Sequence, residues 1–139
     1  MDLPTVASKL DESLGLTLAS AENEVVTLRL EPGEVGVVKD DEPHYLHGGT
    51  LATCVDTAAW YAAASASQSK DWLVVGIQLE ALRLARDEPH QVTARCIRAG
   101  RTRAVVDVEI ASERDPSRIV AVGRASLARA SQTRPTARP

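Results

Sequence analysis

The longest feature of the hydrophobic pattern is a run of small and apolar residues at positions 50–67, which is rich in Ala and contains neither Gly nor Pro. Because Ala is the strongest helix former, this run predicts one helix of about five turns. Its sides are almost all small or apolar, so the helix should be surrounded on most of its circumference. The pattern therefore predicts a central, buried helix.

Strand-like patterns flank this helix on both sides. Residues 16–30 predict a hairpin, with its polar turn at 21–23. After the helix, apolar and polar residues alternate at 77–80 and 106–110, as in strands with one buried face. Four such stretches, interpreted as an antiparallel meander, lie at 72–84, 91–99, 103–111 and 119–128.

Two strands before the helix and four after it predict an α+β fold, in which a curved antiparallel sheet wraps around the long central helix. The chain of 139 residues fits one domain, expected over 1–129. Residues 3–13 predict a short leading helix that caps the core. A loop is expected at 31–44, with at most a short strand at 35–38, and residues 130–139 predict a disordered tail.

Composition narrows the choice of partner. The chain has no Phe, so Val, Leu, Ile and Ala must fill a core that favours close approach of helix and sheet. Residues 1–82 carry thirteen acids and four bases, a net charge of −9, whereas the remainder carries six acids and twelve arginines, a net charge of +6. A protein acidic overall with few aromatics is a poor nucleic-acid binder. A small polyanion such as coenzyme A suits the basic half better, unless these arginines are only solvated surface.

The cysteines and the apolar runs indicate the compartment. Cys54 and Cys96 lie in apolar stretches rather than in a spaced disulfide framework, and no N-terminal segment resembles a signal peptide. We therefore expect a cytoplasmic protein. Charged residues interrupt every run of about 18 apolar residues, so no membrane partner is expected.

Asp56 is the most prominent candidate for chemistry. Apart from the histidines, it is the only acidic or basic residue between Glu42 and Lys70, and it lies within the helix predicted to be buried. An acid placed there destabilises the fold unless it is paired or faces a cleft, where its pKa can rise enough for it to act as a general base or nucleophile. The alternative is an Asp on a solvent-facing stripe of the helix.

His47, Gly48 and Gly49 directly precede the helical run. Two glycines allow a ligand to approach the backbone, and the free amides of a first helical turn suit an oxyanion or a phosphate, although a simple turn has the same sequence. Gly48 and Asp56 are eight residues apart, about 12 Å along a helix, too far to serve one carbonyl. If both are catalytic, two copies of the chain must share each site.

A metal site is the weaker hypothesis for this region. His44 and His47 are three residues apart, with Asp40, Asp41 and Glu42 nearby, but no cysteine joins them and the third histidine is remote in sequence. We expect neither a metal nor a cofactor.

The stretch 47–59, His-Gly-Gly-Thr-Leu-Ala-Thr-Cys-Val-Asp-Thr-Ala-Ala, resembles the signature of the PaaI-type hotdog thioesterases. In that family His-Gly-Gly opens the central helix, and an acid follows nine residues after the histidine. The similarity continues at 82–85, where the family often has Leu-Arg-Pro-Ala, and at 100–102 and in the closing strand to residue 126. It covers roughly residues 10 to 128.

The resemblance implies a hotdog fold and hydrolysis of acyl-coenzyme A, with coenzyme A as part of the substrate. Asp56 would activate water or attack the thioester, and Gly48 would donate its amide to the carbonyl. Family members commonly form dimers, or dimers of dimers, with the site at the dimer interface. Arg83, Arg101 and Arg103 are the candidates for contact with the nucleotide end of coenzyme A.

The chain departs from the family pattern at several positions. Asp41 stands where the family has Asn or Gln six residues before His47, His44 replaces a Gly, and Val74 stands where some members have Ser or Thr. His44 could supply the missing polar function, because imidazole can donate a hydrogen bond or transfer a proton. Thr57 and Asp41 are further candidate helpers.

These departures keep a rival hypothesis open. The chain could be a non-catalytic hotdog module that binds or senses an acyl-CoA-like ligand. A hotdog dehydratase is a third possibility, although it would require a histidine and an acid arranged differently around the helix.

Overall fold

A 20-residue helix runs through the centre of the molecule, and a six-stranded antiparallel sheet wraps around it. The computed structural model describes residues 1–40 and 42–133. This arrangement confirms the predicted α+β architecture, in which the sheet packs on one long helix.

The predicted helices and strands follow one another in the predicted order, with an unpredicted two-residue strand at Tyr45–Leu46 and an unpredicted helical turn at Ala130–Thr133. In chain order the elements are α1 (Lys9–Leu14), β1 (Leu16–Glu22), β2 (Val25–Leu30), β3 (Val37–Val38), β4 (Tyr45–Leu46), α2 (Gly48–Ser67), β5 (Trp72–Ala81), β6 (His90–Ala99), β7 (Arg103–Ser112), β8 (Ile119–Arg129) and α3 (Ala130–Thr133). The sheet order is β1-β2-β6-β7-β8-β5, and β3 and β4 form a separate two-stranded ribbon.

The prediction of a four-strand meander after the helix was wrong for β5. Strands β6, β7 and β8 do form a meander, but β5 pairs with β8 at the far edge of the sheet. The hairpin of β1 and β2 occupies the other side of β6, so β5 cannot pair with β6 and joins the edge of β8 instead. Residues 82–89 make the connection across the sheet, and Leu82 donates a hydrogen bond to the carbonyl of Val120 on the way.

The two main helices begin at different residues from those predicted. Helix α1 starts at Lys9, because Ser8 caps it by accepting a hydrogen bond from the Asp11 amide, and so residues 3–7 are not helical. Helix α2 starts at Gly48, two residues earlier than the apolar run suggests. There the His47 ring takes the capping position that Ser or Asn usually fills.

The tail begins with ordered structure rather than with the disorder predicted from residue 130. Residues Ala130–Thr133 form one turn of helix α3. The Asp71 carboxylate accepts hydrogen bonds from the amide and hydroxyl of Ser131, at 2.9 and 2.6 Å, which ties this turn to the start of β5. Residues 134–139 of the predicted tail lie outside the described residues.

Helix and sheet approach closely, as expected of a core without Phe. Alanines 58, 59, 62, 63 and 64 of α2 are all buried. Gly123 on β8 faces α2, and a Cβ at this position would lie 2.7 Å from Cγ2 of Val55. The small side chains on both surfaces therefore set the spacing between α2 and the sheet.

Both cysteines are buried free thiols. Within residues 1–40 and 42–133, no helix combines the length and the apolar character needed to cross a membrane.

Candidate active site

The start of α2 presents an amide that no group of the described chain uses. The N–H of Gly49 donates to Nδ1 of His47 at 2.8 Å, and the N–H of Thr50 donates to the His47 carbonyl at 2.9 Å. Gly48 is exposed, and a Cβ added there would meet nothing within 4 Å. Its N–H is thus an available donor at the positive end of a long helix, which suits an oxyanion.

Gly36 holds this helix start in place, and sequence reasoning missed it. Its carbonyl accepts hydrogen bonds from the His47 amide and the Thr50 hydroxyl, each at 2.8 Å. Gly36 has a φ of 85°, and a Cβ there would lie 2.4 Å from Oγ1 of Thr50, so a larger residue would displace the helix start. The second glycine of Pro-Gly-Glu-Val-Gly at 32–36 was the available signal.

Asp56 lies on an exposed side of α2 rather than in its buried part. That side opens into a cavity of about 520 Å³ between the N-terminal segment, α1, α2 and β5. The pKa of the carboxyl is raised, first because the cavity partly withdraws it from water and second because the Asp11 carboxylate acts on it. The structure thus places the acid at a cleft, the setting in which a carboxylate can act as a base near neutral pH.

The rest of the cavity is largely apolar. Val74 is part of its wall, so β5 supplies no hydroxyl at this position. Thr53 also lines the cavity, but its hydroxyl donates to the carbonyl of Gly49 at 2.9 Å. Such a surface suits an acyl chain next to a carboxylate. Its apolar wall is formed mainly by Leu10, Trp60, Trp72, Leu73, Val74 and Ile77.

Asp11 is a second acid in this cavity, and sequence reasoning did not identify it. Its side chain is buried, and its two oxygens accept hydrogen bonds from the hydroxyls of Thr57 at 2.6 Å and Ser8 at 2.5 Å. The Ser-x-x-Asp spacing at 8–11 is typical of a helix start and could have located α1. The contact with Thr57 joins residues 46 positions apart, so only the fold could show it.

Thr57 is therefore already engaged. Its hydroxyl donates to Asp11, and the side chain is buried between α1 and α2. The structure brings Thr57, Asp56 and Asp11 together at one cavity.

His44 lies near the start of α2, away from the Asp56 cavity. Its Nε2 is 3.0 Å from Oε1 of Glu42, and its carbonyl accepts a hydrogen bond from the amide of Asp87. Asp41 lies outside the described residues. In the part of the chain that is described, no three His, Cys, Asp or Glu side chains come together as a metal site would need.

The three candidate arginines lie at two ends of the sheet. Arg83 donates to the carbonyl of Ile119, at the first residue of β8. Arg103 pairs with Ala128 near the last residue of that strand, and Arg101 precedes it in the same turn. The two ends of β8 are about 30 Å apart at ~3.3 Å per residue. One chain therefore cannot bring all three arginines to one phosphate group.

Solved structures with the same fold come from several organisms. A thioesterase family protein from Silicibacter pomeroyi has a TM-score of 0.75 at 24% identity, over 87% of this chain and 88% of that one. The E. coli PaaI protein from the phenylacetic acid degradation operon has a TM-score of 0.74 at 21% identity, over 88% and 84%. A Streptococcus mutans protein bound to acetyl CoA has a TM-score of 0.69 at 19% identity, over 82% and 87%.

The sequence itself identifies the family. No curated protein sequence matches the chain. The family model described as thioesterase superfamily matches residues 43–127, which is more than half of the chain and includes the start of α2, Asp56 and most of the sheet. The chain therefore belongs to the thioesterase superfamily and has the hotdog fold that its His-Gly-Gly signature predicted.

Proposed function

We propose that the protein hydrolyses an acyl-coenzyme A thioester to a free acid and coenzyme A, with Asp56 as the catalytic carboxylate. The observation that carries this proposal is the Asp56 carboxyl, whose pKa is raised, at the edge of an apolar cavity on the central helix of a thioesterase-superfamily chain. The solved relative bound to acetyl CoA supports a ligand of this class.

The chemistry requires a base or nucleophile and an oxyanion donor. Acting as a base, Asp56 takes a proton from water while the water oxygen bonds to the thioester carbon. Acting as a nucleophile, it forms an anhydride that water then opens. In either case the carbon–sulfur bond breaks, and coenzyme A leaves as a thiolate that takes up a proton. The unused N–H of Gly48 would stabilise the negative carbonyl oxygen.

The two groups must come from different subunits. Both lie on α2, eight residues or about 12 Å apart, so the Gly48 of one copy would serve the Asp56 of another. Strand β5 is an edge of the sheet, and Leu73, Val75 and Ile77 expose large apolar side chains along it. A free apolar edge of this kind favours pairing with a second copy, and further pairing of dimers would give a tetramer.

Antiparallel pairing of two β5 edges would also bring Arg83 of one copy close to Arg101 and Arg103 of the other. The amide of Leu46 donates to the carbonyl of Ala85, so α2 begins at the Arg83 end of the sheet and runs towards the Arg103 end. In such a dimer, Gly48 and Arg83 of one copy would approach Arg101 and Arg103 of the other. These side chains would then be available to the phosphates of one coenzyme A.

The remaining predicted residues would act as helpers. His47 would fix the Gly48 amide through its capping contact, and Thr57 would act through Asp11 rather than on the substrate. His44, which lies near the start of α2, would donate a hydrogen bond to the substrate in place of the missing amide. Asp41 remains a candidate from the sequence.

The test is thiol release from short-chain, long-chain and aromatic acyl-CoAs by the parent and by Asp56→Asn. We expect the substitution to reduce kcat by about 10² or more, because the amide cannot accept a proton, and to leave folding intact. Parental activity should fall as the pH is lowered through the raised pKa of Asp56, because only the carboxylate form acts.

The matched control is Glu24→Gln, which makes the same chemical change in the turn between β1 and β2, at the opposite edge of the sheet from β5. It should retain parental turnover. Equal turnover by Asp56→Asn and the parent would exclude Asp56 from the mechanism. Binding of coenzyme A without thiol release from any substrate would favour the non-catalytic module instead. The same panel with His44→Ala shows whether His44 contributes.

A further inference from the structure

Asp11 is a buried acid that enters the proposed mechanism only as the hydrogen-bond partner of Thr57. It is 3% exposed, and both of its carboxylate oxygens accept hydrogen bonds from hydroxyl groups. One role for these hydrogen bonds is purely structural, because they hold α1 against α2. However, Asp11 also lines the cavity into which Asp56 opens, so its charge and the candidate catalytic charge share one partly enclosed space.

We propose that Asp11 is a positioning residue for the reaction assigned to Asp56, on which it acts as a fixed negative charge held in the same cavity by Thr57 and Ser8. This inference rests on the proposed function for its catalytic consequence. The geometric part, two acids in one cavity with one of them immobilised, stands on the structure alone.

Asp11 of α1 contacts α2 close to several ionisable side chains. Thr57, the residue after Asp56, donates directly to Asp11. The pKa values of Cys54 and Tyr61 are each raised to about 12, first by burial and second by the Asp11 charge. Asp11 therefore lies against the middle of α2, and its charge acts on ionisable groups on either side of Thr57 along that helix.

The described residues that line the cavity include no counter-charge for the two acids. Among the described residues that line the cavity, α1 contributes Asp11, α2 contributes Asp56, and the N-terminal segment and β5 contribute no titratable group. Lys9 and Glu12 of α1 are exposed and do not line it. A like charge in a partly enclosed site disfavours ionisation of its neighbour, which makes Asp56 a stronger base once it is ionised.

The test compares three variants with the parent. Asp11→Asn and Asp11→Ser both remove the negative charge but keep a group that can accept a hydrogen bond from Thr57. If one variant fails to fold, the other still shows the effect of removing the charge. Glu12→Gln removes a charge from the same helix at a residue that does not line the cavity. The measurements are the carbon-13 NMR titration of the Asp56 carboxyl, assigned by its absence in Asp56→Asn, and the pH dependence of kcat/KM.

We expect both neutral replacements of Asp11 to move the Asp56 titration, and with it the acidic limb of kcat/KM, to lower pH. Turnover at neutral pH should fall by less than about tenfold, a smaller loss than removal of the base itself causes. Glu12→Gln should reproduce the parental curves.

An Asp56 titration that stays at the parental position in the Asp11 variants would overturn the proposal, even if stability or turnover fell, because a purely structural role predicts that result. An equal shift in Glu12→Gln would overturn it as well. A parent without thioesterase activity would instead refute the proposed function. The NMR titration would still decide whether Asp11 acts on Asp56.

Discussion

At the scale of single residues, His90 shows how burial controls a charge outside the candidate site. The side chain is fully buried, its Nδ1–H donates to the carbonyl of Glu88 at 2.6 Å, and its Nε2 has no hydrogen-bond partner among residues 1–40 and 42–133. Burial lowers the pKa of His90, and the opposing effects of the Glu88 carbonyl and carboxylate are smaller. The folded protein thus holds a neutral imidazole, because a proton on Nε2 would be a buried unpaired charge.

This residue should make folding stability depend on pH. In the unfolded chain His90 takes up a proton near its ordinary pKa of 6.5, whereas the folded protein binds it only at lower pH. The free energy of unfolding should therefore fall as the pH drops from about 7.5 to about 5.5, by at most about 1.4 kcal/mol per pH unit. Urea unfolding across this range measures the fall, and His90→Asn, which cannot titrate, should reduce it. An unchanged slope in His90→Asn would assign the effect to other groups.

At the scale of elements, the junction between α1 and β1 determines where Asp11 lies. Gly15 ends α1 with a φ of 81°, and its carbonyl accepts a hydrogen bond from the amide of Glu31 at 2.9 Å. A Cβ at Gly15 would lie 1.9 Å from the Glu31 carbonyl oxygen, which belongs to backbone and cannot rotate away. A side chain here would therefore displace α1 from the sheet.

Gly15→Ala should destabilise the fold by at least about 1–3 kcal/mol, the cost of a left-handed backbone at a residue with a Cβ, with the collision adding to it. Denaturant unfolding gives the difference directly. The control is Gly33→Ala, because a Cβ at Gly33 meets nothing within 4 Å, and its effect should stay within about 0.5 kcal/mol. If Gly15→Ala lowers the free energy of unfolding no more than Gly33→Ala does, local movement must relieve the contact between the new Cβ and the Glu31 carbonyl oxygen.

At the scale of the whole molecule, the proposed site requires two copies, and mixing inactive variants tests this requirement. Gly48→Pro removes the proposed oxyanion donor at the first residue of α2, where proline is well tolerated, and His47 already has an extended backbone that a following proline accepts. Gly48→Pro and Asp56→Asn should each be inactive alone. After mixed refolding, half of the dimers combine the two chains, and each of these has one intact site, so activity should return to about a quarter of the parental value.

The decisive control is each variant refolded alone at the same total concentration, which should stay inactive. If the mixture also stays inactive although light scattering shows dimers, the two residues do not share a site across subunits. A chain that remains monomeric would exclude the shared site altogether.

The sequence by itself determined the central helix and the identity of its candidate chemistry. The Ala-rich run at 50–67 has no competing turn residue, so local propensity and tertiary packing agree, and the error was confined to the capped start at Gly48. Strands β6 and β7 were also predictable, because their two-residue alternation reflects one buried face, whereas Ile77 of β5, expected on a buried face, is 39% exposed. The His-Gly-Gly motif followed by Asp56 identified a hotdog thioesterase signature within these elements, and the family match confirms it.

Three features were decided by the tertiary structure alone. They are the pairing of β5 with β8, the cavity that Asp56 lines and the presence of Asp11 in that cavity. Strand pairing over long sequence separations depends on which edges remain free, and alternation within one strand contains no such information. The hydrogen bond between Asp11 and Thr57 joins residues 46 positions apart. The polar sequence around Asp11 in the first helix gives no local sign that its side chain is buried. Local propensity and periodicity therefore specify the helices and strands of this protein, whereas the two carboxylates share one cavity only because tertiary packing brings α1 against α2.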